Sequence, residues 1–148
     1  MAAEDLTKIA DALGAVVLRS NRAGVYADLL SAAGINADEA LYPVLSAVAR
    51  LDSARVAEIA KAAGIGYTTC SRHLATLADL GLVSRADDAA DRRATTAVLT
   101  EQGVVAVAVM RARLEELIAS CVDGWSPTEL TTFAAQLDRF CTAFANYR

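Results

Sequence analysis

Apolar residues in the middle of this chain recur at helical spacing and then change to alternation. Val56, Ile59, Ala60 and Ala63 stand at i, i+3, i+4 and i+7 with Glu58 and Lys61 opposite, which predicts a short amphipathic helix ended by Gly64. Ala63-Gly64-Ile65-Gly66 reads as a tight turn, and a second helix of about 66–80 follows it. At about 100° per residue, Tyr67, Cys70, Leu74, Leu77 and Ala78 share one side of that helix and are expected in the core. Thr68, Thr69, Arg72, Ala75 and Thr76 share the other side, with Ser71 and His73 at the flanks. Gly81 closes the helix, Leu82 to Arg85 alternates as a strand, and Thr95 to Thr100 is a second strand rich in Thr and Val. The residues between, 86–94, form the charged tip of a hairpin.

Helical stripes flank this segment. From Glu4 to about Ser31, Leu6, Ile9, Leu13, Val16, Val17, Val25, Leu29 and Leu30 predict one long helix, softened at Gly14 and Gly24. Asn36 and Glu39 are placed to cap the next helix, whose buried face is Leu41, Val44, Leu45 and Val48. Pro43 falls in its first two turns, where it costs least. Asp52-Ser53 is expected to cap the helix that begins near Val56. Thr100 caps a helix to roughly Cys121, with Val104, Val105, Val107, Ala108, Leu114, Leu117 and Ile118 mostly inward. Ser126-Pro127-Thr128-Glu129 is a helix start, and Leu130, Phe133, Ala134, Leu137, Phe140, Cys141 and Phe144 form an apolar stripe behind it.

Two helices joined by a short Gly-containing turn are a helix-turn-helix when the outer face of the second can reach base edges. Here that face offers Thr68, Thr69, Ser71, Arg72, His73 and Thr76, small or hydroxyl-bearing side chains around one guanidinium suited to guanine. The hairpin beside it is a wing whose Arg92 and Arg93 can enter a minor groove or hold phosphates, with Asp91 close enough in sequence to pair with Arg93. Ser53 and Arg55, at the start of the first helix, are candidates for a further phosphate contact.

The segment resembles the MarR family of bacterial transcriptional regulators. The matching residues are Ile59-Ala60, Gly64-Ile65, Ser71-Arg72-His73-Leu74, Leu77, Gly81-Leu82-Val83, Arg85, Asp88, Asp91-Arg92-Arg93, and Leu99-Thr100 with Gly103. The Asp-Arg-Arg wing followed by Leu-Thr-x-x-Gly is the most specific part. The resemblance implies a winged-helix domain, an obligate homodimer, and repression or activation at a pseudo-palindromic operator, often relieved by a small aromatic or phenolic effector. One departure is Cys70, which stands where the family usually has an aliphatic core residue.

The expected fold is therefore mainly α with a small two- or three-stranded β-wing, a winged helix-turn-helix flanked by a helical dimerisation bundle. All 148 residues are read as one domain, with about 1–34 and 102–148 as dimerisation helices and about 36–101 as the DNA-binding part. In such a dimer two recognition helices would stand about 34 Å apart, one turn of the duplex.

Composition tests this picture. Hydrophobic residues make up 55% of the chain, more than a small monomer needs, which points to a second copy as partner. The net charge of −4 is unusual for a DNA binder. Its distribution is more favourable, since Arg50 to Thr100 holds seven basic and six acidic residues against seven and twelve elsewhere. Fewer phosphate contacts are expected than for a strongly basic regulator. Three cysteines and one histidine at no ligand spacing support neither a disulfide framework nor a metal site. Asp87-Asp88-Ala89-Ala90-Asp91 spells D-D-x-x-D, yet lacks the second acidic motif that diphosphate chemistry needs, so no metal is expected there. His73 has no Ser or Asp partner for catalysis, so no enzyme, catalytic residue or cofactor is expected. The start Met-Ala-Ala-Glu-Asp is acidic and the longest apolar run, Val104 to Met110, is too short for a bilayer, so a cytoplasmic protein without membrane contact is expected.

The leading expectation is a homodimeric, sequence-specific DNA-binding regulator, a repressor relieved by a small aromatic effector. It would place the 66–80 helix in the major groove and the 86–94 wing at the minor groove. The alternative is a winged-helix small-molecule-binding or interaction module without productive DNA contact, for which the acidic total argues.

Overall fold

The computed structural model describes residues 3–91 and 93–147. The chain divides into two compact units, Met1–Arg113 and Leu114–Arg148. In chain order the elements are α1 (Ala3–Val17), α2 (Arg19–Ala32), α3 (Leu41–Leu51), β1 (Ser53–Arg55), α4 (Val56–Ala63), α5 (Tyr67–Asp79), β2 (Val83–Asp87), β3 (Thr95–Leu99), α6 (Glu101–Cys121) and α7 (Pro127–Ala145). The fold is mainly α with a small sheet, as the hydrophobic pattern requires.

The core of the first unit is built by α3, α4 and α5. Val44, Leu45, Ala47 and Val48 of α3 meet Val56, Ile59 and Ala60 of α4 and Cys70, Leu74 and Leu77 of α5, all buried. These are the positions that the 3.6-residue period assigns to one face of each helix. No polar or charged residue is buried among those described. The sheet has three antiparallel strands in the order β1-β3-β2. Ala54 opposite Ala97 brings β1 onto β3, and Val83 opposite Leu99 starts the β2–β3 hairpin.

Local chemistry departs from the sequence expectation at four places. The long N-terminal helix is two helices broken at Leu18 and not at a glycine; the Asn21 side-chain amide donates to the Ala15 carbonyl at 2.7 Å and satisfies an end group of α1. Asn36 and Glu39 do not cap α3. Its N-cap is Ala40, whose N–H donates to Asp38 Oδ1 at 2.8 Å. Nor do Asp52 and Ser53 cap α4, because Ser53 is drawn into β1 and the N-cap falls on Arg55, whose N–H donates to Glu58 Oε2 at 2.8 Å. In α6 the residues turned inward are Gly103, Ala106 and Met110, whereas Val104 and Val105 are exposed.

The turn from α5 through β3 to α6 is tightly tied. Thr100 Oγ1 donates to the Gly81 carbonyl at 2.6 Å and accepts from the Gly103 N–H at 3.0 Å, while the Thr100 N–H donates to the Leu82 carbonyl. A Cβ on Gly103 would lie 2.0 Å from that Leu82 carbonyl oxygen, so only glycine lets α6 come this close.

In the second unit, Ser126 caps α7 through a reciprocal pair: Glu129 N–H donates to Ser126 Oγ and Ser126 N–H donates to Glu129 Oε2. Trp125 packs edge-on against Phe133 with centroids 5.2 Å apart. No residue of α7 is buried, and Leu130, Phe133, Leu137, Phe140 and Phe144 remain 40–50% exposed.

Candidate nucleic-acid interface

Residues of α5 are sorted by the core behind them. Cys70, Leu74 and Leu77 are fully buried, which turns the opposite side outward. Thr68, Arg72 and Thr76 are exposed on that outer side, and Thr69, Ser71 and His73 are half-buried beside it. Tyr67, expected in the core, is 56% exposed: it stands at the first position of α5, about 60° around the helix from the buried Cys70. The Thr76 hydroxyl donates to the Arg72 carbonyl at 3.3 Å, which leaves its oxygen free to accept. Burial pushes the Cys70 thiol above its ordinary range, against the opposing pull of the Arg85 charge, so it behaves as a small core hydrophobe.

The wing tip is folded by its own aspartates. Asp88 N–H donates to the Ala94 carbonyl, Ala90 N–H to Asp88 Oδ1 at 2.8 Å, and Arg93 N–H to Asp91 Oδ1 at 3.0 Å. The expected link between Asp91 and Arg93 is thus made to the backbone of Arg93, and its exposed guanidinium is not the group bound. Arg92 lies outside the described residues.

Arg55 has an unforeseen partner. Its Nε donates to Asp88 Oδ2 at 2.6 Å, joining the start of α4 to the base of the wing. The Ala90 amide first, and the Arg55 guanidinium second, hold the Asp88 carboxyl below the usual carboxylate range. Ser53 is exposed and stands opposite Val98 in the β1–β3 ladder.

Arg85 is the residue that the site reading passed over. On β2 it shares a face with Val83, two residues back, and its Nη2 donates to Ser71 Oγ of α5 at 3.3 Å. The alternation Val83, Arg85 was the available signal.

An outward Thr/Arg helix face beside a hairpin with an exposed arginine is the geometry of a winged helix-turn-helix. Residues 41–94 match the family model described as MarR family. Over that segment the chain is similar to the MarR family. Several solved structures resemble the chain over nearly its whole length. A MarR transcriptional regulator from Methanosarcina mazei Go1 is 19% identical, with 96% of this chain and 99% of that one covered and a TM-score of 0.79. Wild-type apo MarR from E. coli is 16% identical, with 95% and 96% covered and a TM-score of 0.69. Bordetella bronchiseptica BpsR, a protein whose DNA binding is regulated by 6-hydroxynicotinic acid, is 25% identical over 71% of this chain and 80% of its own, with a TM-score of 0.53. No curated protein sequence matches the chain. No helix among the described residues is long and apolar enough to cross a membrane.

Proposed function

We propose that the protein is a homodimeric, sequence-specific DNA-binding transcriptional repressor. The observation that carries this is the face of α5: Thr68, Arg72 and Thr76 stand exposed opposite a fully buried row, beside a hairpin that presents Arg93. In this reading α5 enters the major groove, where Arg72 meets a guanine and the threonines meet base edges or phosphates. Arg93, and with it Arg92, reaches the minor groove or its phosphates, and Asp91 shapes the loop that carries them. Thr69 and His73 line the flank of α5 against the groove wall. Ser53 stays a phosphate candidate, whereas Arg55 would have to exchange Asp88 for DNA.

The second copy is supported by the exposed apolar stripe of α7 and by Leu6, Ile9, Val16 and Val17 of α1, each more than half exposed. Helices of about 1–34 and 102–148 form the dimer, and 36–101 the reading part. Relief by a small aromatic or phenolic effector, expected from the resemblance, gains support from BpsR and is tested by thermal shift with hydroxylated pyridine and benzoic acids.

The deciding experiment is a mobility-shift assay on the protein's own upstream region across a salt series. Specificity retained against excess random duplex is expected; indifference to sequence would favour the interaction-module reading that the charge of −4 suggests.

A further inference from the structure

We infer that Arg85 and Ser71 form a phosphate clamp at the wing-side edge of α5, in which Arg85 fixes the Ser71 hydroxyl as a donor toward a DNA phosphate oxygen. The clamp rests on the DNA-binding reading.

A guanidinium has donors and no acceptor, so in the 3.3 Å contact Ser71 Oγ accepts from Arg85 Nη2. The serine proton is thereby left for a different acceptor. Thr76, one turn on, has spent its proton on the Arg72 carbonyl. Among the described residues Ser71 makes no such back-bond, and its hydroxyl has its donor free.

Arg85 brings the second half of the argument. Its Nε is buried without an acceptor among the described residues. It forms no ion pair among them either, whereas Arg55 is matched by Asp88 and Arg113 by Asp28. A shielded cation without a carboxylate is costly unless an anion arrives. Ser71 lies about 100° around the helix from Cys70, between the buried row and Arg72. A side chain at that edge faces the wall of a groove, where phosphates stand, and Arg85 supplies positive charge directly behind it.

The test uses the full-length dimer and its operator. Ser71→Ala and Arg85→Gln should each weaken binding about tenfold, equally for operator and random duplex. The double variant should be no more than about twofold weaker than Arg85→Gln alone, because the two side chains act on one phosphate. Arg85→Gln should lower the salt slope by about one, and Ser71→Ala should leave it unchanged. A scan of single neutral methylphosphonates should reveal a position that penalises the parent but not Ser71→Ala. Additive losses, or a scan that penalises both proteins alike everywhere, overturn the clamp. If Arg85→Gln melts early, the scan with Ser71→Ala decides alone. Unchanged affinity in both variants, with Arg72→Ala still relaxing base preference, overturns the clamp and keeps the repressor reading; a parent that binds no duplex overturns both.

Discussion

Arg72 and Arg93 are both exposed, but their surroundings assign them different work. Arg72 projects from the middle of a rigid helix, so Arg72→Ala should cost about 1–3 kcal/mol of discrimination at one base pair. Arg93 projects from a loop, so Arg93→Ala should weaken binding to all sequences and lower the salt slope by about one. Titrating operator and scrambled duplexes against both variants checks the pair; parental behaviour in both would refute the docking. Asp88 offers a check that needs no DNA. Its folded pKa lies below the ordinary 3.8, so the link to Arg55 is complete above that value and fades as pH falls through the lowered one. Carboxyl carbon NMR should show the depressed titration, and Arg55→Ala should move it only part of the way back, because the Ala90 amide remains. A titration that Arg55→Ala leaves unmoved would contradict the pairing. The reading face was legible in the sequence because buried and exposed positions of a helix follow its period. The Arg55–Asp88 pair was not, since it joins residues 33 apart through a strand of three residues that has no periodic signature.

At the scale of elements, α4 and α5 were readable and α6 was not, for one reason. Each of the first two has polar residues on one side, so its apolar side is unambiguous. Val104 to Met110 is apolar on every side, and only the close approach at Gly103 decides that Ala106 and Met110 turn inward. The entry to β1 shows strain that no pattern announces. Asp52 has φ 65° and ψ −74°, a γ-turn conformation that a side chain resists. Asp52→Gly should therefore raise stability by about 1 kcal/mol, after the extra chain entropy of glycine is set against the relieved strain. Urea melts of the two proteins measure it, and a less stable variant would mean that the Asp52 side chain matters more than its backbone.

For the whole molecule, the acidic total and the exposed aromatics of α7 belong to one account. Arg50 to Thr100 holds seven basic and six acidic residues against seven and twelve elsewhere, so in the DNA-binding reading the duplex meets the part of the chain that is not net acidic. Binding should consequently fall off with salt less steeply than for a strongly basic regulator. Phe133, 44% exposed beside Trp125, is the position at which the proposed second copy is best tested. Phe133→Glu should yield a monomer in sedimentation and lose operator binding by at least about a hundredfold, because half-sites would then be gripped singly. A dimer that survives this change would move the interface away from α7.

The knot at Thr100 gives the recognition helix no play of its own. Gly81, which ends that helix, and Gly103, in the first turn of α6, hang on the same hydroxyl, and the missing side chain at Gly103 removes the cushion that would let them slip. Any torque on the start of α6 would be handed to α5 as through a rigid coupling, so in the proposed docking the pitch of Arg72 is set from behind.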